Sequence, residues 1–398
     1  MIPNFNFSFR QRVKLGITNT VFGLSGTVFN FIFSIIIVRM FSSLLWGSFT
    51  QLMLLVTVAN LISGWGNKEY LIREFSRNLK IAYVWQTSII SRTIIFIALI
   101  PALFITLPTL TNYLLLLSWV SINFIARSFD SIIVFEKKFK EAIIIEFAGF
   151  TLILLFLFLL KNNMSISILM LLFISSLFLK TLLYSILFRK DLFIMTEARF
   201  SWSHLIICLP YFLPPFIGFL QAKSDTFAIA LQLSDKELGE YYVLLSLLSY
   251  CHATAILAIT PFLKNMYRIN SESLQKIKRT FITIGLSWSV ICIIGIYLML
   301  TFIYKIEFTR FTYLIAWLTL PPYFFYFLLM QDFLRQDKPY PIVVINMIAA
   351  GLNFLMSMLL IMYYGFTGGL ISCALMQWLL LLGFIVARRL KTVKEQTA

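Results

Sequence analysis

The sequence predicts an all-α integral membrane protein of twelve transmembrane helices in two six-helix lobes, with the N and C termini cytoplasmic. Three observations carry this. Of 398 residues, 60% are hydrophobic and only 13% charged, against roughly a quarter charged in an ordinary soluble domain. Twelve apolar stretches of about 20 residues follow one another, each long enough to cross a hydrocarbon core of roughly 30 Å. The 33 Lys and Arg residues fall mostly on alternate loops.

The spans are expected at 16–38, 46–65, 85–107, 113–135, 142–160 and 164–188, then at 205–231, 241–263, 281–303, 311–334, 341–363 and 368–387. The segment before the first has no small-residue cleavage site, so that span is expected to stay. It carries Gly16, Thr20, Gly23, Thr27, Asn30 and Ser34 at steps of four and three, one side of a helix. A small polar face either packs on another helix or lines water; Asn30, with no Leu or Phe along the stripe, tilts the reading towards a cavity. The second span opens on Gly47, the third holds Arg92, and the fourth holds Asn123, Arg127 and Asp130 on one face. Arg127 and Asp130 are spaced i, i+3, where a local ion pair is expected. Glu146 is the only acid of the fifth span, with no basic residue three or four positions away, and Lys180 lies in the sixth.

The seventh span contains Pro210, Pro214 and Pro215 and the tenth Pro321 and Pro322, each removing a backbone donor. Lys223 and Asp225, two apart in the seventh, point to different faces, and Gly218, Gln221 and Asp225 make a second short polar stripe. The eighth holds Cys251 and His252, whose side chains diverge on a helix; no metal site or disulfide spacing exists among the four cysteines. Asp332 in the tenth sits one turn from Arg335, a pairing read as snorkelled and structural. The longest gap, 66–84, is too short to fold alone, which excludes functions needing a separate globular core.

Twenty-four cations lie on one side, only Arg39, Lys161, Lys236, Lys305 and Arg310 on the other, and Arg92, Arg127, Lys180 and Lys223 inside spans. The basic side is expected to be cytoplasmic, so the +16 charge sets topology and meets anionic lipid heads rather than nucleic acid. Six spans precede the stretch 189–204 and six follow, giving lobes at 1–188 and 205–398 joined by a cytoplasmic linker. At an offset of 192, Ser42 pairs with Ser234, Gly47 with Gly239 and Phe49 with Tyr241, which suggests a parallel internal repeat. A charge at mid-bilayer costs about 2.5–3.5 kcal/mol on insertion scales, so each intramembrane charge is a site hypothesis. The loops hold no catalytic constellation and no phosphate-cradling glycine motif.

Three stretches carry a resemblance: TNTVFGLSGTVFNFIFSIIIVRMFSSLLWGSFTQLMLLVTVANLISGWGNKEYLIREFSRN at 18–78, SDTFAIALQLSDKELGEYYVLLSLL at 224–248 and INMIAAGLNFLMSMLLIMYYGFTGGLISCAL at 345–375. In order along the chain, they resemble Wzx-type polysaccharide flippases of the MATE/MOP exporter superfamily. The first span has no Arg, unlike that of the peptidoglycan lipid flippases, and Thr226 stands where members usually place Arg after the acid of span seven. The resemblance implies a bacterial cytoplasmic (inner) membrane protein. Its expected activity is to flip an undecaprenyl-diphosphate-linked oligosaccharide, the repeat unit of O-antigen or another surface polysaccharide, to the outer leaflet and towards a polymerase. No cofactor is implied beyond a coupling ion, H⁺ or Na⁺. Arg92, Arg127, Lys180, Lys223 and Asn30 are then the expected substrate-binding residues, because Arg suits bidentate phosphate contact, and Glu146, Asp225 and Asp130 the expected ion-coupling ones. The alternative is a cation-coupled MATE-type multidrug exporter, in which these acids hold the substrate. A polymerase or glycosyltransferase would be expected to carry a large outward loop, which the chain lacks.

Overall fold

The computed structural model describes residues 9–77, 80–105, 109–192, 194, 196–259, 271–335 and 340–397. Sixteen α-helices run through them: α1 (Phe9–Met40), α2 (Ser43–Gly64), α3 (Asn67–Arg77), α4 (Ile81–Ile105), α5 (Leu110–Ala126), α6 (Asp130–Glu136), α7 (Phe139–Leu159), α8 (Ile166–Leu187), α9 (Arg189–Leu192), α10 (Trp202–Gln232), α11 (Asp235–Ile259), α12 (Ser271–Leu298), α13 (Arg310–Leu318), α14 (Leu320–Arg335), α15 (Tyr340–Tyr364) and α16 (Phe366–Thr397). No strand occurs among the described residues. Eleven of the helical segments are long and apolar enough to cross a membrane. The expected eighth span falls on α11, whose start carries Asp235, Lys236, Glu237 and Glu240; residues 260–263 of that span lie outside the described residues. Large apolar side chains such as Ile144, Leu159, Ile206 and Phe302 stand exposed on these helices, the inverse of a water-facing surface. The chain is a multi-pass membrane protein.

The structure departs from unbroken spans at three places. Within the expected gap after the second span lies α3, an amphipathic helix that buries Asn67, Leu71 and Phe75 at spacings of four. The left-handed residues Trp65 (φ 46°) and Gly66 (φ 67°) turn α2 into it. A side chain at Gly66 would strike the backbone of Tyr211 and Phe212. The Trp65 indole stacks on Phe212 at 4.6 Å and donates to the Leu205 carbonyl at 2.8 Å, which holds a bulky residue in a conformation that costs roughly 1–2 kcal/mol. The fourth span breaks into α5, a 3₁₀ turn at Arg127–Phe129, and α6. The tenth breaks at Thr319, and Pro321 and Pro322 fall in the first turn of α14, where a missing N–H leaves no helical bond unmade. The side chains of Asp332 and Arg335 lie outside the described residues.

The helices sort into two compact units, Met1–Ile36 with Gln51–Phe216, and Ile37–Thr50 with Ile217–Ala398. In the first, α5 and α7 both pack on α8, and α3 packs on α6. Its core joins Leu71 and Phe75 to Trp85, Phe129, Ile132, Phe139, Tyr184 and Phe188. In the second, α15 and α16 form a tight hairpin against α14 around Tyr326, Phe333, Met376 and Phe384. There the start of α2 crosses the start of α11 at Gly47 and Gly239, the residues paired by the 192-residue offset. A methyl group on Gly47 would land on the Asp235 carbonyl, and one on Gly239 on the Ser43 carbonyl. Ser48 donates to Asp235, and Ser43 to Glu240 at 3.4 Å. Those two bonds exchange into one another when each residue is replaced by its partner 192 positions away, so the contact has the two-fold character of a repeat.

Candidate functional site

The first unit holds an open cavity of mixed polar and apolar lining, of about 530 Å³, within the range of small-molecule sites. Gly23, Ser25 and Gly26 of α1, Thr57 and Asn60 of α2, Asn123 and Arg127 at the end of α5, Asp130 of α6, Glu146 of α7, and Ser176, Lys180 and Tyr184 of α8 line it, with Lys68 of α3. Of the stripe read on the first span, Gly23 reaches this cavity. Nothing lies within 4 Å of where side chains on Gly23 or Gly26 would begin, so both glycines hold space open. Asn30 lines an adjoining cavity of about 120 Å³ that shares Gly26, Glu146 and Lys180.

The charges differ in how they are held. Lys180 Nζ lies 2.6 Å from Glu146 Oε2, and the Tyr184 hydroxyl donates to Glu146 Oε1 at 3.2 Å. The expectation of a Glu146 remote from cations is therefore corrected: its cation sits on the neighbouring helix, 34 positions along the chain. The position of Gly149 permits this, because any side chain there would collide with the Lys180 stem lying across α7. The local pair expected between Arg127 and Asp130 is also corrected, as no ion pair within 4 Å joins them. Arg127 is exposed and its Nε donates to Asn123 Oδ1 at 3.3 Å. With the helix broken between them, Asp130 starts a new element. Lys68 and Arg127 thus line one cavity with no carboxylate within 4 Å among the described residues, while Asp130 feels both charges through space.

Arg92 is placed elsewhere. It is 2% exposed, donating to the Ser63 carbonyl at 3.2 Å, Ser88 Oγ at 3.3 Å and Ser128 Oγ at 2.9 Å, with its guanidinium carbon 4.8 Å from the Phe124 ring centre. That clasp ties α4 to α2 and to the 3₁₀ turn, and so fixes the break that presents Arg127. Sequence reading placed Lys68 in a loop and assigned Asn60 and Tyr184 no part. The amphipathic Asn67–Arg77 pattern was the available signal for the first.

In the second unit a cavity of about 300 Å³ is lined by residues including Gly218, Gln221, Asp225, Ser249, His252, Tyr323, Tyr326, Asn353 and Gln377. Asp225 is buried, accepting from the Thr226 amide at 2.7 Å and from the Tyr241 hydroxyl. Asn353 Nδ2 donates to the Gln221 carbonyl at 3.1 Å and its Oδ1 accepts from Ser372 at 2.9 Å. Lys223 turns the other way, with Nζ 4.7 Å from the centre of the Tyr242 ring. No group of three or more His, Cys, Asp or Glu arranged to hold a metal occurs among the described residues.

No protein-family profile matches the chain, and no curated protein matches it in sequence. Solved structures do match in fold. The lipid II flippase MurJ in an inward closed conformation superposes with a TM-score of 0.70 at 14% identity, covering 95% of this chain and 87% of its own. An inward-facing multidrug resistance MATE family transporter of the MOP superfamily gives 0.65 at 14% identity, covering 95% and 96%. A MATE protein in complex with MaL6 gives 0.59 at 15% identity, covering 96% of each chain. At these identities the likeness establishes the fold, which is the one shared by MurJ and the MATE transporters.

Proposed function

We propose that this chain is a flippase for a lipid-linked oligosaccharide, moving an undecaprenyl-diphosphate-linked repeat unit from the inner to the outer leaflet by alternating access. The observation that carries the reading is the pair Lys68 and Arg127, two cations with no carboxylate within 4 Å among the described residues, lining one cavity. A diphosphate head cannot cross hydrocarbon unaided, and charge-assisted hydrogen bonds to phosphate are about twice as strong as neutral ones. Arg127 supplies a planar fork for two phosphate oxygens and Lys68 a mobile point charge. Lys180, held by Glu146 at 2.6 Å, is a third cation on the same cavity. The Wzx-like sequence stretches and the MurJ-like fold support the same substrate class. The multidrug exporter reading fits less well, because Asp130 and Glu146 share their cavity with three cations, Lys68, Arg127 and Lys180, that would repel a cationic drug.

The test is binding of undecaprenyl diphosphate to protein in nanodiscs, read by native mass spectrometry. Lys68→Ala and Arg127→Ala are each expected to weaken binding about 10- to 100-fold, from the roughly 1.5–3 kcal/mol of a hydrogen bond to a charged group. Lys305→Ala, at an exposed cation away from the cavity, leaves it unchanged. Wild-type affinity in both cavity variants would overturn the assignment.

A further inference from the structure

The cavity of the second unit differs in chemistry from the first, and we infer that it binds a sugar ring of the transported head group. This rests on the flippase reading and adds a saccharide subsite to the diphosphate subsite. Among its described lining residues there is no Lys or Arg, so it offers nothing to a phosphate. Its one carboxylate, Asp225, is 1% exposed and already accepts from Thr226 and Tyr241, so little of its surface is open to a ligand. What remains is neutral and of mixed polarity. The amides of Gln221 and Gln377 and the Ser249 hydroxyl bring donors and acceptors together, the complement of sugar hydroxyls, which both give and take hydrogen bonds. The Gln377 side-chain oxygen is buried and has no hydrogen-bond partner among the described residues.

One wall is aromatic. The His252 ring stacks on Tyr323 at 4.5 Å between centres, and Tyr326 meets Tyr323 edge-on at 5.2 Å. Such a wall gives apolar contact for the C–H face of a pyranose beside the amides that take its hydroxyls. The volume of about 300 Å³ is at the small end for ligand sites, which suits one ring rather than a whole oligosaccharide. The exposed Gly218 and Ser249 on its lining leave it open to a ligand.

The test compares plain undecaprenyl diphosphate with the same lipid carrying N-acetylglucosamine, glucose or galactose, in nanodiscs. Wild-type protein is expected to bind at least one glycosylated lipid about 10-fold more tightly than the plain one. Gln377→Leu and Tyr323→Leu are each expected to abolish that gain and keep the plain-lipid affinity, which also reports that the variants are folded. Should either not fold, Gln221→Ala, at a half-buried position, takes its place under the same criteria. Equal binding of all four lipids by wild type, or a gain that survives every variant, overturns the saccharide subsite alone. Binding of none of the lipids overturns the flippase reading and this subsite with it.

Discussion

Glu146 and Lys180 show how far single residues reveal their roles. Each stands out in the sequence as a charge inside an apolar span, and each does line the cavity. Their pairing could not be read, because helical spacing reports only neighbours on the same helix, whereas these meet across α7 and α8 through the space left by Gly149. Arg92 was misread for a related reason: a charge held at a cost reads as a binding group, but four neighbouring groups satisfy this one internally. Breaking a buried pair by removing one partner costs about 3–5 kcal/mol. Both side chains here keep about a fifth of their exposure, 17% and 22%, so about 1–3 kcal/mol is expected after screening. A double-mutant cycle of Glu146→Gln and Lys180→Gln, followed by thermal unfolding in detergent, should show the double variant losing less stability than the sum of the two single losses. Strictly additive losses would mean that the pair contributes nothing.

At the scale of elements, hydropathy located nearly every span, since an apolar run of 20 residues has few alternatives to crossing the bilayer. It missed the breaks at Arg127–Phe129 and Thr319 and the turn at Trp65–Gly66, because averaging over a window erases events of two or three residues. The turn at Trp65–Gly66 and the break at Arg127–Phe129 precede Lys68 and include Arg127, so the candidate site was less legible than the fold. The crossing of α2 and α11 was half legible: the 192-residue offset matched the glycines, but nothing in one sequence says that repeated positions touch. Overpacking a tight contact costs about 1–3 kcal/mol. Gly47→Ala and Gly239→Ala should therefore each lower the thermal unfolding temperature measurably, whereas Gly295→Ala, where a side chain meets nothing within 4 Å, should not. Equal behaviour of the three variants would show that the crossing is not close-packed.

For the whole molecule, the uneven placement of cations sets an orientation that can be checked directly. With the native cysteines replaced, a cysteine at Lys236 should react with a membrane-impermeant thiol reagent in intact cells and one at Arg389 should not; the reverse pattern would invert the topology. The division into units has another consequence, for assembly during synthesis. Residues Ile37–Thr50 belong with the second unit although they are made among the helices of the first. Gly239 follows Gly47 by 192 residues, so at ~5–20 residues per second the ends of α1 and α2 wait ~10–40 s before α11 has been made. The ribosome thus cannot deliver this protein as one finished half followed by another. The second half closes around a piece of chain already left in the bilayer, and a nascent chain halted anywhere between 51 and 234 holds a bare glycine face with no cognate helix to meet it.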